Sequence, residues 1–312
     1  MIVVITKLVR AGSVFFAVTL LTFLLVYSNG PGIARAVVGI NANEDDVQRQ
    51  MTTLGLDQPV LVQYGHWLIG LFRGDLGVSY FTGQPVTDAL AVRVPVTLSL
   101  VVITLILTAV ISIVVGVAAA VYSGWLDRIL QFTAVLGAAV PSFIIAIGLV
   151  FLFALTLRLF PATGYVAPER DPGRWLLSLT LPVLAILIGA IGSTAIQFRG
   201  SVRDVLARDY IRTLRARGVS SQAIVFRHAL RNAAAPGLTS ISFLTISLLG
   251  GAVIVEQVFA LPGLGSLSTT AVLRGDIPIV MGTVAVAILV VLIVNVLTDL
   301  LLVALNPKAR TS

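Results

Sequence analysis

Three side chains able to hold a charge or a strong hydrogen bond lie in or beside long apolar runs: Glu256, Asn295 and Asp299. A charge at the centre of a bilayer costs roughly 2.5–3.5 kcal/mol on insertion scales, so such groups are candidate functional residues by default. Glu256 stands at the expected outer edge of an apolar run, where it can meet a cationic group, pair with Arg274 or touch lipid headgroups. Asn295 and Asp299 are one helical turn apart, which suits either a pathway or a hydrogen bond to a neighbouring helix. These three are the possible pathway or gate residues. Catalytic constellations are missing. The only lysines, Lys7 and Lys308, sit in no G-x-x-x-x-G-K-[ST] phosphate loop. There is no H-E-x-x-H helix, no Ser/His/Asp set and nothing resembling a paired-carboxylate active site, and with no cysteine there is no thiol chemistry. His66 has no second histidine nearby, so no metal is expected there. The chain reads as a non-enzyme that binds no cofactor of its own.

The densest charge is a basic island. Between Arg199 and Arg231 lie eight arginines and two aspartates, a net +6 of the chain's +7. Residues 201–217 carry Val205, Leu206, Tyr210, Leu214 and Arg217 at near-helical spacing. Gly218 can end that helix in a left-handed turn. Ser220 or Ser221 can cap a second helix bearing Ala223, Val225, Phe226, Ala229 and Leu230, and Pro236 stops that pattern or kinks the next helix. Two short helices at a membrane surface would form a knob for a soluble partner. A loop that only fixes topology fits the charge equally well.

The elements that position these residues can be read from composition. Of 312 residues, 57% are hydrophobic and 11% charged, against about 25% charged in soluble domains. Mean hydropathy is +1.02. The chain is therefore expected to be an all-α integral membrane protein. Charge-free windows place six transmembrane helices near 11–28, 97–121, 133–157, 176–197, 236–258 and 279–304, each near the roughly 20 residues that cross a hydrocarbon core. The uncharged 257–273, interrupted by Pro262, Gly263 and Gly265, is expected to be a loop or re-entrant piece. An even span count puts thirteen of the Lys and Arg residues on the side of both termini and eight on the other, so both termini are expected in the cytoplasm. The N-terminus imitates a signal peptide, but its apolar run outlasts the usual 7–15 residues, so a retained helix is expected. The expected division is 1–28, tail and first transmembrane helix; 29–95, a small extracytoplasmic subdomain; and 96–312, a five-helix core with the basic loop at 199–234. Gly189, Gly192, Gly250 and Gly251 suit close helix packing. Pro141 and Pro182 suit helices that bend.

Residues 209–236 resemble the cytoplasmic coupling (EAA) loop of ATP-binding-cassette importer permeases, closest to the dipeptide/oligopeptide/nickel branch with its D-Y-V-R-T-A-R-A-K-G-L…H-A-L-R-N…P. Asp209, Tyr210, Arg212, Thr213, Arg215, Ala216, Gly218, His228, Ala229, Leu230, Arg231, Asn232 and Pro236 match; Leu214 replaces the usual Ala and Arg217 the usual Lys. The resemblance spans nearly the whole chain. It includes Leu54-Gly55-Leu56-Asp57-Gln58-Pro59, Arg73-Gly74-Asp75-Leu76-Gly77-Val78-Ser79-Tyr80, Glu256-Gln257-Val258-Phe259, Arg274-Gly275-Asp276-Ile277-Pro278 and the tail Asn306-Pro307-Lys308-Ala309-Arg310. It implies a type I ABC importer permease in the bacterial inner (plasma) membrane. A second homologous permease subunit, two ABC ATPase subunits carrying ATP and Mg, and an extracytoplasmic substrate-binding protein are the implied partners. Di- or oligopeptides are the expected cargo; nickel chelates, glutathione or an oligosaccharide are in-branch alternatives, and an ion-gradient-driven secondary transporter is an alternative of another class. The implied ATPase-coupling residues are Asp209, Tyr210, Arg212, Thr213, Arg215, Ala216, Gly218, His228, Arg231 and Asn232.

Overall fold

The computed structural model describes residues 2–27, 29–39, 41–122 and 124–305; the tail motif at 306–310 lies outside them. The helices are α1 Ile2–Tyr27, α2 Gly30–Val38, α3 Glu44–Thr53, α4 Val60–Phe72, α5 Val86–Val121, α6 Trp125–Ala139, α7 Ser142–Leu149, α8 Pro172–Leu206, α9 Asp209–Ala216, α10 Ser221–Ala223, α11 Leu230–Val258, α12 Leu264–Arg274 and α13 Ile277–Leu305. Wider π-helical segments, Val150–Thr156 and Ile224–Ala229, continue α7 and α10. Among the described residues the only β pairing is one isolated bridge, Val78 with Pro85.

Among the described residues five helices are long and apolar enough to cross a membrane: Val9–Tyr27, Val86–Val121, Pro172–Leu206, Thr239–Val258 and Ile277–Leu302. The expected third span is not one helix. Pro141 adopts φ −58°, ψ 140° and separates α6 from α7, because its ring nitrogen has no hydrogen to donate and its ring crowds the preceding turn. Beyond it lies the shorter apolar stretch Ser142–Thr156. Pro182 and Pro236 stay inside α8 and α11, so Pro236 does not stop its helix. At 35 residues α8 is about 52 Å long, against a hydrocarbon core of about 30 Å. Its basic end therefore projects past the core. Most of the stretch 257–273, expected as a loop or re-entrant piece, is helical as α12, Leu264–Arg274.

The chain forms two compact units. One combines the first 97 residues with Pro262–Leu292. There Tyr27 at the end of α1 donates its hydroxyl to the carbonyls of Leu56 (2.9 Å) and Gln58 (2.6 Å), and Phe23, Ile33, Val47, Leu56 and Met281 share a buried cluster. Two of the sequence motifs of this unit, Arg73–Tyr80 and Arg274–Pro278, meet: Ser79 donates its hydroxyl to Asp276 (2.5 Å) and the Tyr80 amide donates to the same carboxylate (3.2 Å). Burial, with Asp276 and Tyr27 close by, pushes the Tyr80 phenol up to about 12. The other unit is Leu98–Leu261 with the end of α13 from Ile293. Its centre is α8, packed against α6, α7 and α11. A Cβ at Gly192 on α8 would fall 2.4 Å from Cα of Ala134 on α6, so these helices touch through backbone, as small residues permit in membranes.

Candidate functional site

The basic loop is built at the end of the second unit. Helix α8 ends at Leu206, and Arg208 (φ −70°, ψ 148°) turns the chain into α9. The helix expected over 201–217 is thus two helices, and the register shifts. The residue that anchors α9 is Ile211, fully buried, while Tyr210, Arg212, Thr213, Arg215, Ala216 and Arg217 are exposed. Ile211 was legible in the sequence as the apolar partner of Leu214 three positions on, but the longer helical pattern hid it.

Gly218 ends α9 as expected. It has φ +78°; its amide donates to the Arg215 carbonyl (3.0 Å), and the Val219 amide donates to the Leu214 carbonyl (3.1 Å). This is the paired bonding of a Schellman end, which needs a left-handed residue after the cap. Ser220 is the next N-cap, its Oγ accepting from the Ala223 amide (3.3 Å). The second helix of the expected knob is not short. It enters the π segment Ile224–Ala229 and runs on as α11, so the loop and the fifth span are one continuous helical rod. Single π turns of this kind recur at functional sites; no residue pattern announced this one.

Three matched residues come together here. Asn232 Nδ2 donates to the Tyr210 hydroxyl (3.1 Å) and to the His228 carbonyl (2.8 Å), tying α9 to the base of α11. Beneath them Val117, Ala120, Val202, Val205, Val225, Ala229 and Ala233 form a buried cluster. The knob is therefore seated on the ends of α5, α8 and α11. Asp209 and Arg212 pair one turn apart at 3.4 Å, with side chains 95% and 77% exposed, so this pair contributes little to stability. A second polar contact escaped the sequence reading. Asp127, in the first turn of α6, accepts from Arg199 and lies 3.7 Å from Arg203, both on α8. The Arg199 hydrogen bond holds the Asp127 carboxyl below its ordinary 3.8. Asp127 was detectable as the lone acid between Asp88 and Glu169.

The possible pathway residues are not gathered around the knob. Glu256 is fully buried near the end of α11, while Asn295 and Asp299 are half-buried on one face of α13. Among the described residues no group of three or more His, Cys, Asp or Glu is placed to hold a metal ion.

Comparison with known proteins matches this architecture. The profile of a family described as binding-protein-dependent transport system inner membrane component matches residues 112–311, and the N-terminal profile of the same kind of component matches residues 1–101. The chain belongs to this family. It is 40% identical over 308 residues to a putative peptide transport system permease protein of Brucella abortus (strain 2308), covering 98% of each chain. It is 34% identical over 313 residues to a probable D,D-dipeptide transport system permease protein of Escherichia coli (strain K12), covering 93% of this chain and 92% of the relative. It is 33% identical over 315 residues to a glutathione transport system permease protein of Escherichia coli O6:H1, covering 98% of each. The binding-protein-dependent inner membrane component is the type I ABC importer permease, a helical transport subunit and not an enzyme. Such a component works with a substrate-binding protein and an ATPase.

Proposed function

We propose that this permease imports short peptides, delivered by an extracytoplasmic binding protein and driven by ATP hydrolysis on separate chains. The observation that carries the coupling half of this reading is the Tyr210–Asn232 hydrogen bond. It makes α9 and the root of α11 one mechanical body, so a push on the exposed basic face of α9 is delivered to a spanning helix. Two ATPase subunits, holding ATP and Mg, would dock there and on the matching loop of a second homologous permease. Asp209, Tyr210, Arg212, Thr213, Arg215, Ala216, Gly218, His228, Arg231 and Asn232 form the coupling surface. Both termini lie in the cytoplasm, residues 29–95 form an extracytoplasmic subdomain and residues 96–312 the core, with the coupling loop at 199–234. Glu256, Asn295 and Asp299 serve the pathway or its gate. Peptide cargo is supported by the name of the Brucella abortus relative, and glutathione is a second reading supported by the relative named for it.

The test is ATP hydrolysis by the purified assembly in lipid, with and without the binding protein and a mixed short-peptide pool. Stimulation that requires both is expected. Uptake that follows a proton or sodium gradient without ATP refutes the importer reading.

A further inference from the structure

The first unit contains a cleft of about 520 Å³ that the coupling mechanism does not use. One wall is the face of α5 bearing Asp88, Ala89, Val92 and Arg93. The opposite wall is the face of α12 bearing Leu267, Thr270, Ala271 and Arg274, at helical spacings of three, four and seven. The volume falls in the range of small-molecule sites, roughly 300–1,000 Å³.

The two walls are held in register. The Leu264 amide at the start of α12 donates to Thr97 Oγ1 of α5 at 2.8 Å. Both helices lead away from that contact along the cleft, so their chain directions are opposed. Arg93 lies toward the pinned end, and Asp88 and Arg274 toward the far end. The floor at the far end is fixed, because Asp276 is held by Ser79 and the Tyr80 amide. Asp88, Arg93 and Arg274 differ from Asp276. Among the described residues none of the three is in an ion pair, although all three line one cavity. Charges of opposite sign, unpaired and facing the same space, suit a ligand that carries both signs itself.

Spacing narrows the ligand. Asp88 and Arg93 are five residues apart on a helix, about 7.5 Å along its axis and about 140° around it, so they stand at the two edges of this wall. Two extended peptide residues span about 7 Å. The geometry points to a subsite for a zwitterionic dipeptide, its ammonium group on Asp88 and its carboxylate on Arg93. The guanidinium offers the forked donors that a carboxylate accepts. The inference rests on the peptide-import reading and adds that this chain itself recognises the two ends of the cargo.

The test uses the complete assembly in lipid nanodiscs without the binding protein. Calorimetry measures binding of Ala-Ala, N-acetyl-Ala-Ala and Ala-Ala amide. Each cap should weaken binding roughly 10- to 100-fold, the effect of one charge-assisted hydrogen bond. Arg93→Gln should erase the penalty for amidation only, and Asp88→Asn the penalty for acetylation only. Arg93→Lys should keep the amidation penalty, which separates lost recognition from lost folding. No Ala-Ala binding, no cap preference, or variants that shift both penalties alike overturns the subsite. Uptake of labelled Ala-Ala into proteoliposomes with the binding protein is read separately. Uptake without the cap pattern overturns the subsite alone, whereas ATP-driven import of another solute with no peptide uptake overturns the peptide reading.

Discussion

Replacing Gly218 by Val isolates the coupling turn. The residue has φ +78°, and a Cβ there would meet nothing within 4 Å. The added Cβ makes no clash, so the cost that the structure shows is in backbone conformation. For an L-residue in the left-handed region that cost is about 1–2 kcal/mol, and a β-branched side chain belongs at the upper end. Such a penalty changes a local equilibrium about 5- to 30-fold, yet it is small beside the roughly 5–15 kcal/mol of a folded domain. The spans should therefore insert and pack normally while α9 loses its end and the amide bonds of Gly218 and Val219. The assay is peptide uptake per ATP hydrolysed in proteoliposomes, with co-purification of the ATPases as a second readout. Gly218→Val should lose most coupling; Gly218→Asn should lose less, because Asn tolerates this region. Normal uptake in Gly218→Val, or equal damage from Val and Asn, would falsify the mechanical role of this turn.

Three further outcomes are expected. Asp127→Asn should lower the melting temperature at neutral pH. The folded carboxyl titrates below its ordinary 3.8, so its contribution is complete above about pH 5 and is lost as pH falls through the depressed value. The gap between wild type and variant should therefore close in acid, and a gap that does not depend on pH contradicts the ion-pair account. Gly192→Ala drives a methyl into Ala134 and should cost about 1–3 kcal/mol, whereas Gly250→Ala, with nothing within 4 Å, should be tolerated; equal melting temperatures for the two argue against close α6–α8 packing. Pro141→Ala should let α6 and α7 join, lowering uptake while ATP hydrolysis persists, and unchanged uptake counts against a role for the break.

Much of this molecule was legible in its residues because the bilayer is a harsh selector. Charge-free windows located five continuous spans, since a charge in hydrocarbon costs more than any local preference returns. The turn at Gly218 was readable because few residues other than glycine accept its φ. The break at Pro141 was half readable: proline announced a disturbance, but bend or break depends on whether neighbouring helices re-satisfy the freed carbonyl. The end of α8 at Leu206 was misplaced because helical periodicity continues through Ala207 and Arg208, and only the seating of Ile211 fixes the true register. Helix α12 was missed because its prolines and glycines lie at or before its first turn.

The sequence by itself determined that the chain is helical and apolar, that its charge is concentrated in one loop, and, through its motifs, its family. These are properties of local composition and of residues acting alone. Tertiary structure alone decided which distant residues meet: Tyr210 with Asn232, Asp127 with Arg199, Ser79 with Asp276, and the opposed faces of α5 and α12. The hydrogen-bonded pairs lie 22 to 197 positions apart, and no periodicity within one helix encodes the partner on another. Packing of buried faces brings them together, and their chemistry exists only afterwards.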